Sequence, residues 1–121
     1  MPSKTQATGN LGEDAAAEYL LSHGFELLRR NFHTRFGEVD IIARNKEYLL
    51  FVEVKARGGR MLGSPAEAVT PQKQEKIILA AQQFMLDNPL ELQPRFDVAE
   101  VFLNEAGRPY KIRWLADAFG T

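Results

Sequence analysis

Asp40, Glu53 and Lys55 are the residues of this chain best suited to do chemistry. Glu53 and Lys55 lie two positions apart in YLLFVEVKA, residues 48–56, so in a strand both side chains point to the same face. Charges in so apolar a run are costly unless they are paired, bound to a metal or open to a cleft. Asp40 stands one tight turn earlier, in GEVDII. If the two segments pair as an antiparallel hairpin, its carboxylate comes close to that of Glu53. Two such groups repel unless a proton or a cation sits between them. A hard divalent ion, Mg²⁺ or Mn²⁺, resolves the conflict because it prefers oxygen ligands. It can acidify a bound water and neutralise charge on a phosphoryl oxygen. Lys55 would then stabilise the pentacoordinate transition state and orient the attacking water. That is a minimal kit for phosphodiester hydrolysis. The competing reading of the same three residues is a structural ion pair at a sheet edge with no activity. The apolar surroundings favour a central strand over an edge.

The elements that must position these groups can be read from periodicity. Residues 1–9 are expected to be a loose tail, with 10–121 forming one domain. A helix is expected over residues 11–23, capped by Asn10 and stopped by Gly24. Its apolar stripe would be Leu11, Ala15, Ala16, Tyr19 and Leu20. Strands are expected over 25–32, 38–44 and 48–56, the last two joined by Asn45-Lys46-Glu47. Ser64 and Glu67 have the spacing of a capping box, and Thr70-Pro71 offers a second helix start. The main helix then runs over 71–88, stopped by Pro89, with Ile77, Ile78, Ala81, Phe84 and Met85 facing the core. Strands over 95–103 and 110–115 follow. The order α-β-β-β-α-β-β predicts an α/β fold, a mixed sheet whose first three strands form a meander.

Bulk properties narrow the classes. The 121 residues are 45% hydrophobic and 26% charged, ordinary for one globular domain. The absence of cysteine removes disulfides, thiol nucleophiles and thiolate metal sites. No apolar run is long enough to span a bilayer and residues 1–10 lack a signal peptide's apolar middle, so a cytoplasmic location and no membrane partner are expected. The net charge is −1, but residues 29–76 hold ten Lys/Arg against six Asp/Glu. That segment is the better face for a polyanion, although a mixed solvated surface gives the same count. Arg29, Arg30, Arg35, Arg57, Arg60 and Lys73 are candidates for nucleic-acid contacts, Arg57 above all because it follows Lys55 by two positions. Arg suits phosphate through its planar fork. His23 and His33 lack metal-ligand spacing. Asp97 is expected to pair structurally with Arg95 or a neighbouring base.

The stretches GNLGEDAAAEYL, GFELLRRNF, GEVDIIAR, FVEVKAR, AVTPQKQEKI and RFDVAEV follow in order over about residues 9–103. Asp40 with FVEVK resembles the PD-(D/E)xK nuclease core. The whole layout resembles the bacterial YraN-like family, proteins of uncharacterised function similar to archaeal Holliday-junction resolvases. The resemblance implies a restriction-endonuclease-like mixed sheet of about five strands flanked by helices. It implies Asp40 and Glu53 as metal ligands with the Val54 carbonyl a third, and Lys55 as the catalytic lysine. Glu13 matches the position of a further acidic site residue, against its alternative as a solvent-facing residue in a helix first turn. Gln72 matches a polar helix residue near the site, against an exposed first-turn position. Glu38 shares a strand face with Asp40, as a ligand or a rim charge. One departure is that the strand opens with Gly37-Glu38-Val39-Asp40 and not with a Pro-Asp pair.

The leading expectation is therefore a divalent-metal endonuclease acting on DNA, including branched recombination or repair intermediates. The resolvase likeness also implies a homodimer. The alternatives are a catalytically silent nucleic-acid-binding or protein-interaction module on the same fold, or a small-phosphoester hydrolase, which would need a closed pocket.

Overall fold

The computed structural model of the chain describes residues 4–58 and 69–120, with side chains from Leu11 onward. Among the described residues two helices and five strands follow in the expected order: α1 Lys4–Ser22, β1 Glu26–His33, β2 Glu38–Arg44, β3 Tyr48–Gly58, α2 Pro71–Asp87, β4 Gln93–Leu103 and β5 Pro109–Phe119. The strands lie in one sheet in sequence order. β1–β2, β2–β3 and β4–β5 are antiparallel, and β3–β4 is parallel. A parallel pair cannot be joined by a tight turn, so the chain crosses over between β3 and β4 and uses α2 to do it.

β3 is central, with β2 and β4 on its two sides, which is why Leu49, Leu50, Phe51 and Val52 are all buried. Alternate residues feed two cores. Leu50 and Val52 join Ile41, Ala43 and Ala99 under α1, which contributes Ala16, Ala17 and Leu20. Leu49 and Phe51 join Val39, Ile42, Phe96 and Val98 under α2, which contributes Ile77, Ala80, Ala81 and Phe84. Ile78 and Met85 pack at the margin of this second core. Glu53, Lys55 and Arg57 continue the row of Leu49 and Phe51, and so lie on the α2 face.

Some boundaries differ from expectation. α1 begins at Lys4, so Asn10 lies inside the helix and does not cap it, and residues 4–9 are helical where a tail was expected. No proline interrupts residues 4–22, and extending an existing helix costs far less than nucleating one. Leu11 is exposed while Ala17 is buried, because α1 lays a narrow small-residue stripe on the sheet. β5 runs four residues past Leu115 after a register shift opposite Phe96 and Val98. α2 starts as expected: Thr70 caps it by accepting from the Lys73 N–H at 3.2 Å, with Pro71 opening the first turn. The Ser64 and Glu67 capping box and Arg60 lie outside the described residues.

Two tight connections hold the meander. Asn45 Oδ1 accepts from the N–H groups of Glu47 and Tyr48 at 2.9 and 2.7 Å. Thr34 Oγ1 accepts from Phe36 and Gly37 at 3.1 and 3.2 Å, closing the β1–β2 turn.

Candidate active site

The β2–β3 ladder ends at Ile41↔Val52, although both strands continue. Past that point the register sets Asp40 level with Glu53. The Val54 N–H, released from the ladder, donates to Asp40 Oδ2 at 2.7 Å. In a strand the N–H and C=O of one residue point to the same edge. The Val54 carbonyl therefore faces the same gap.

Glu53 is only 5% exposed. Its Oε1 lies 3.6 Å from the Lys55 ammonium and 3.9 Å from that of Lys73, whereas Oε2 is buried with no hydrogen-bond partner. Burial raises the pKa of both carboxyls. Asp40 is pushed up to about 7, first by burial and then by repulsion from Glu53, partly offset by the Val54 N–H. Glu53 is also raised by burial, against the pull of Lys73 and Lys55. Half-buried Asp40 and buried Glu53, which repel, together with an orphaned oxygen and a carbonyl at the same gap, form a donor set of the kind that suits a hard cation. Among the described residues no three His, Cys, Asp or Glu side chains form a ready cation cage. A divalent ion here would be held by the Asp40 and Glu53 carboxylates and the Val54 carbonyl, with waters completing its shell.

The other expected site residues divide. Glu13 lies near enough for its charge to raise the Asp40 pKa. It accepts from Asn31 Nδ2 at 3.1 Å and contacts Arg30 at 3.5 Å. Glu38 forms a rim, 3.0 Å from His33 Nδ1 and 3.9 Å from Lys73. Gln72 is exposed at the start of α2 and its neighbour Lys73 makes the approach to Glu53, because the helix turns successive residues about 100° apart. Arg30 is engaged by Asp14 at 2.8 Å as well as by Glu13, so it is not a free phosphate ligand. Arg57 lies 3.1 Å from the buried Glu100, an ion pair whose Nε–H is not aligned on the carboxylate. Arg35 is exposed, its guanidinium 5.2 Å above the Phe36 ring. Asp97 is fully buried and structural. It accepts from Arg95 in a two-pronged pair at 3.0 and 2.9 Å, from the Trp114 indole at 2.8 Å and from the Asp117 N–H at 2.9 Å.

Sequence reasoning missed Asn31 and Glu100. Asn31 stands level with Asp40 on β1, in a left-handed conformation at φ 54°. A lone Asn within a strand is the available signal, since Asn tolerates that region. Glu100 opposes Lys55 in the β3–β4 register and is 1% exposed, with Oε1 unpartnered. The signal that picked out Glu53, an acid inside an apolar strand, applies equally to Glu100.

A surface groove of about 590 Å³ between α1 and β5 adjoins Glu18 and Lys111 and lies away from the carboxylates. A smaller one of about 360 Å³ opens beside Glu38 and Lys73.

Comparison with known proteins identifies relatives along the full chain. Residues 12–101 match the model of the uncharacterised protein family UPF0102. A UPF0102 protein of Desulforapulum autotrophicum is 43% identical over 122 residues, covering 100% of this chain and 99% of the relative. A UPF0102 protein of Clostridium tetani is 42% identical over 120 residues, covering 98% of each. One of Clostridium botulinum is 42% identical over 113 residues, covering 92% of each. These matches agree with the uncharacterised bacterial family that the ordered motifs resemble, and the chain belongs to the uncharacterised protein family UPF0102.

Proposed function

We propose that this protein is a divalent-metal-dependent endonuclease that hydrolyses phosphodiester bonds of DNA. The observation that carries the reading is the pairing of half-buried Asp40 with buried Glu53, with Glu53 Oε2 unpartnered and the Lys55 ammonium 3.6 Å from Oε1. Such a pair is costly to keep ionised without a cation. Bound Mg²⁺ or Mn²⁺ would supply Lewis acidity toward a phosphoryl oxygen and a more acidic water. Asp40 and Glu53 would hold and orient that centre, with Asp40 fixed in turn by the Val54 N–H. Lys55 offsets the negative charge that grows on the phosphoryl oxygens in the transition state. Lys73 brings a second positive charge to the same carboxylate. Asn31 and Arg30 hold Glu13 at the margin, where it adds to the negative field around Asp40.

The purified protein is expected to nick or resolve branched DNA with Mg²⁺ or Mn²⁺, and to lose this activity in EDTA. Asp40→Asn and Glu53→Gln should each lower the rate by at least about 100-fold. Cleavage that survives both substitutions would remove the proposed site. The second reading, a silent binding module, is favoured by the two ammonium groups already resting on Glu53 Oε1. It predicts DNA or partner binding that is equal in EDTA and indifferent to Glu53→Gln.

A further inference from the structure

The smaller groove, about 360 Å³, runs between the β1–β2 turn and the first half of α2. Its size falls at the low end of the roughly 300–1,000 Å³ of small-ligand sites. Its walls carry Arg35, Lys73 and Lys76 against one acid, Glu38, which already faces His33 at 3.0 Å. The groove is therefore a net cationic surface. Phe36 stands in it 48% exposed, a large aromatic side chain left in water with the Arg35 guanidinium 5.2 Å over its ring.

The groove and the carboxylate pair share a residue. Lys73 Nζ lies 3.9 Å from Glu38 Oε1 and 3.9 Å from Glu53 Oε1. Lys73 thus lines the groove and also borders Glu53 of the carboxylate pair. The walls are also preset. Thr34 closes the turn through two backbone N–H groups, and Gly37 sits so close to α2 that a Cβ there would stand 2.6 Å from the Lys76 carbonyl oxygen.

From this juxtaposition we propose that the groove is a subsite for an unpaired nucleotide of a single-stranded segment next to the cleaved bond. Its base stacks on Phe36 and its phosphate is held by Lys76, while Lys73, 3.9 Å from both Glu38 and Glu53, adds positive charge at the end towards the carboxylates. The inference rests on the nuclease reading and adds the substrate class: nucleic acid with a single-stranded stretch or flap. Inside a duplex both faces of each base are covered by neighbours, so away from a duplex end an exposed ring stacks only on an unpaired or extruded base. Lysine supplies phosphate attraction without sequence preference.

The test is fluorescence anisotropy of the full-length protein in EDTA, which removes cleavage from the readout. Labelled dT12, a blunt duplex and a duplex carrying a single-stranded flap serve as probes. Phe36→Leu should weaken binding of dT12 and of the flap by at least about fivefold. Phe36→Tyr should restore it, and blunt-duplex affinity should change by less than about twofold. Lys76→Gln should weaken both single-stranded probes and lower the slope of log affinity against log salt by roughly 0.7. Equal losses on all three probes, or none for Phe36→Leu, overturn the subsite. So does a change of oligomeric mass in Phe36→Leu, read by light scattering, with nucleotide binding intact, since the ring would then be a protein contact. Failure of cleavage with this discrimination preserved sinks only the enzymatic reading. Cleavage of flapped DNA that is unaffected by Phe36→Leu sinks only the subsite.

Discussion

Asp40 is the residue at which structure and solution behaviour are most directly linked. Its carboxyl titrates near 3.8 in an ordinary setting and is pushed up to about 7 by burial and by Glu53. Across that window the folded chain holds a proton that the unfolded chain has released. Stability without metal therefore falls as pH rises from about 4 to 7, and the loss is complete above that. At about 1.4 kcal/mol per pKa unit, the effect amounts to a few kcal/mol. Asp40→Asn should remove it, so in EDTA the variant should melt higher than the wild type at pH 8 and no higher at pH 4. Added Mn²⁺ should raise the wild-type melting temperature more at pH 8 than at pH 5, because the cation competes with the proton for the same oxygens. Parallel melting curves for the two proteins across pH would show that Asp40 is an ordinary surface acid.

At the scale of elements, the site depends on how closely the β1–β2 turn and α2 approach. Gly37 permits that approach: a methyl group there would meet the Lys76 carbonyl oxygen at 2.6 Å and its carbonyl carbon at 2.9 Å. Both are backbone atoms and cannot rotate away. Gly37→Ala is expected to cost about 1–3 kcal/mol in urea unfolding, the usual range for overpacking. It should also weaken single-strand binding, since the turn that presents Phe36 must move. A fully stable Gly37→Ala protein would mean that the turn and helix are not held at this distance. α1 shows a milder version of the same constraint, where a Cβ at Gly12 would lie 3.1 Å from the Ala56 Cβ. Glu13, one residue along the helix from Gly12, meets Asn31 and Arg30 of β1.

For the whole molecule, one sheet separates two tasks. The α2 face beyond Phe51 carries Glu53, Lys55 and Arg57, while the α1 face carries Asp97 and the stacked Trp114 and Tyr19 rings. Asp97 binds Arg95 and Trp114 and holds the irregular end of β5 through the Asp117 N–H, at φ 52°. Asp97→Ala would leave Arg95 unpaired and should destabilise the fold by about 3 kcal/mol or more in denaturant. Stabilisation of the surviving folded protein by Mn²⁺ should be unchanged, and its loss would place Asp97 in the metal site. No helix among the described residues is long and apolar enough to cross a membrane. What local sequence determined was the element order, the central position of β3 and the pairing of Asp40 with Glu53. Periodicity, turn residues and an acid in an apolar run are local signals, and a hairpin keeps its partners within a few residues of one another. Only the tertiary structure decided that Lys73 reaches Glu53 where Gln72 does not. The same holds for the loss of Arg30 to Glu13 and Asp14, the pairing of Glu100 with Arg57, and the groove between Phe36 and Lys76. Each of these joins residues from separate elements, through the α2 crossover, the β3–β4 register or the seating of α1, and spacing along the chain carries no record of such distances.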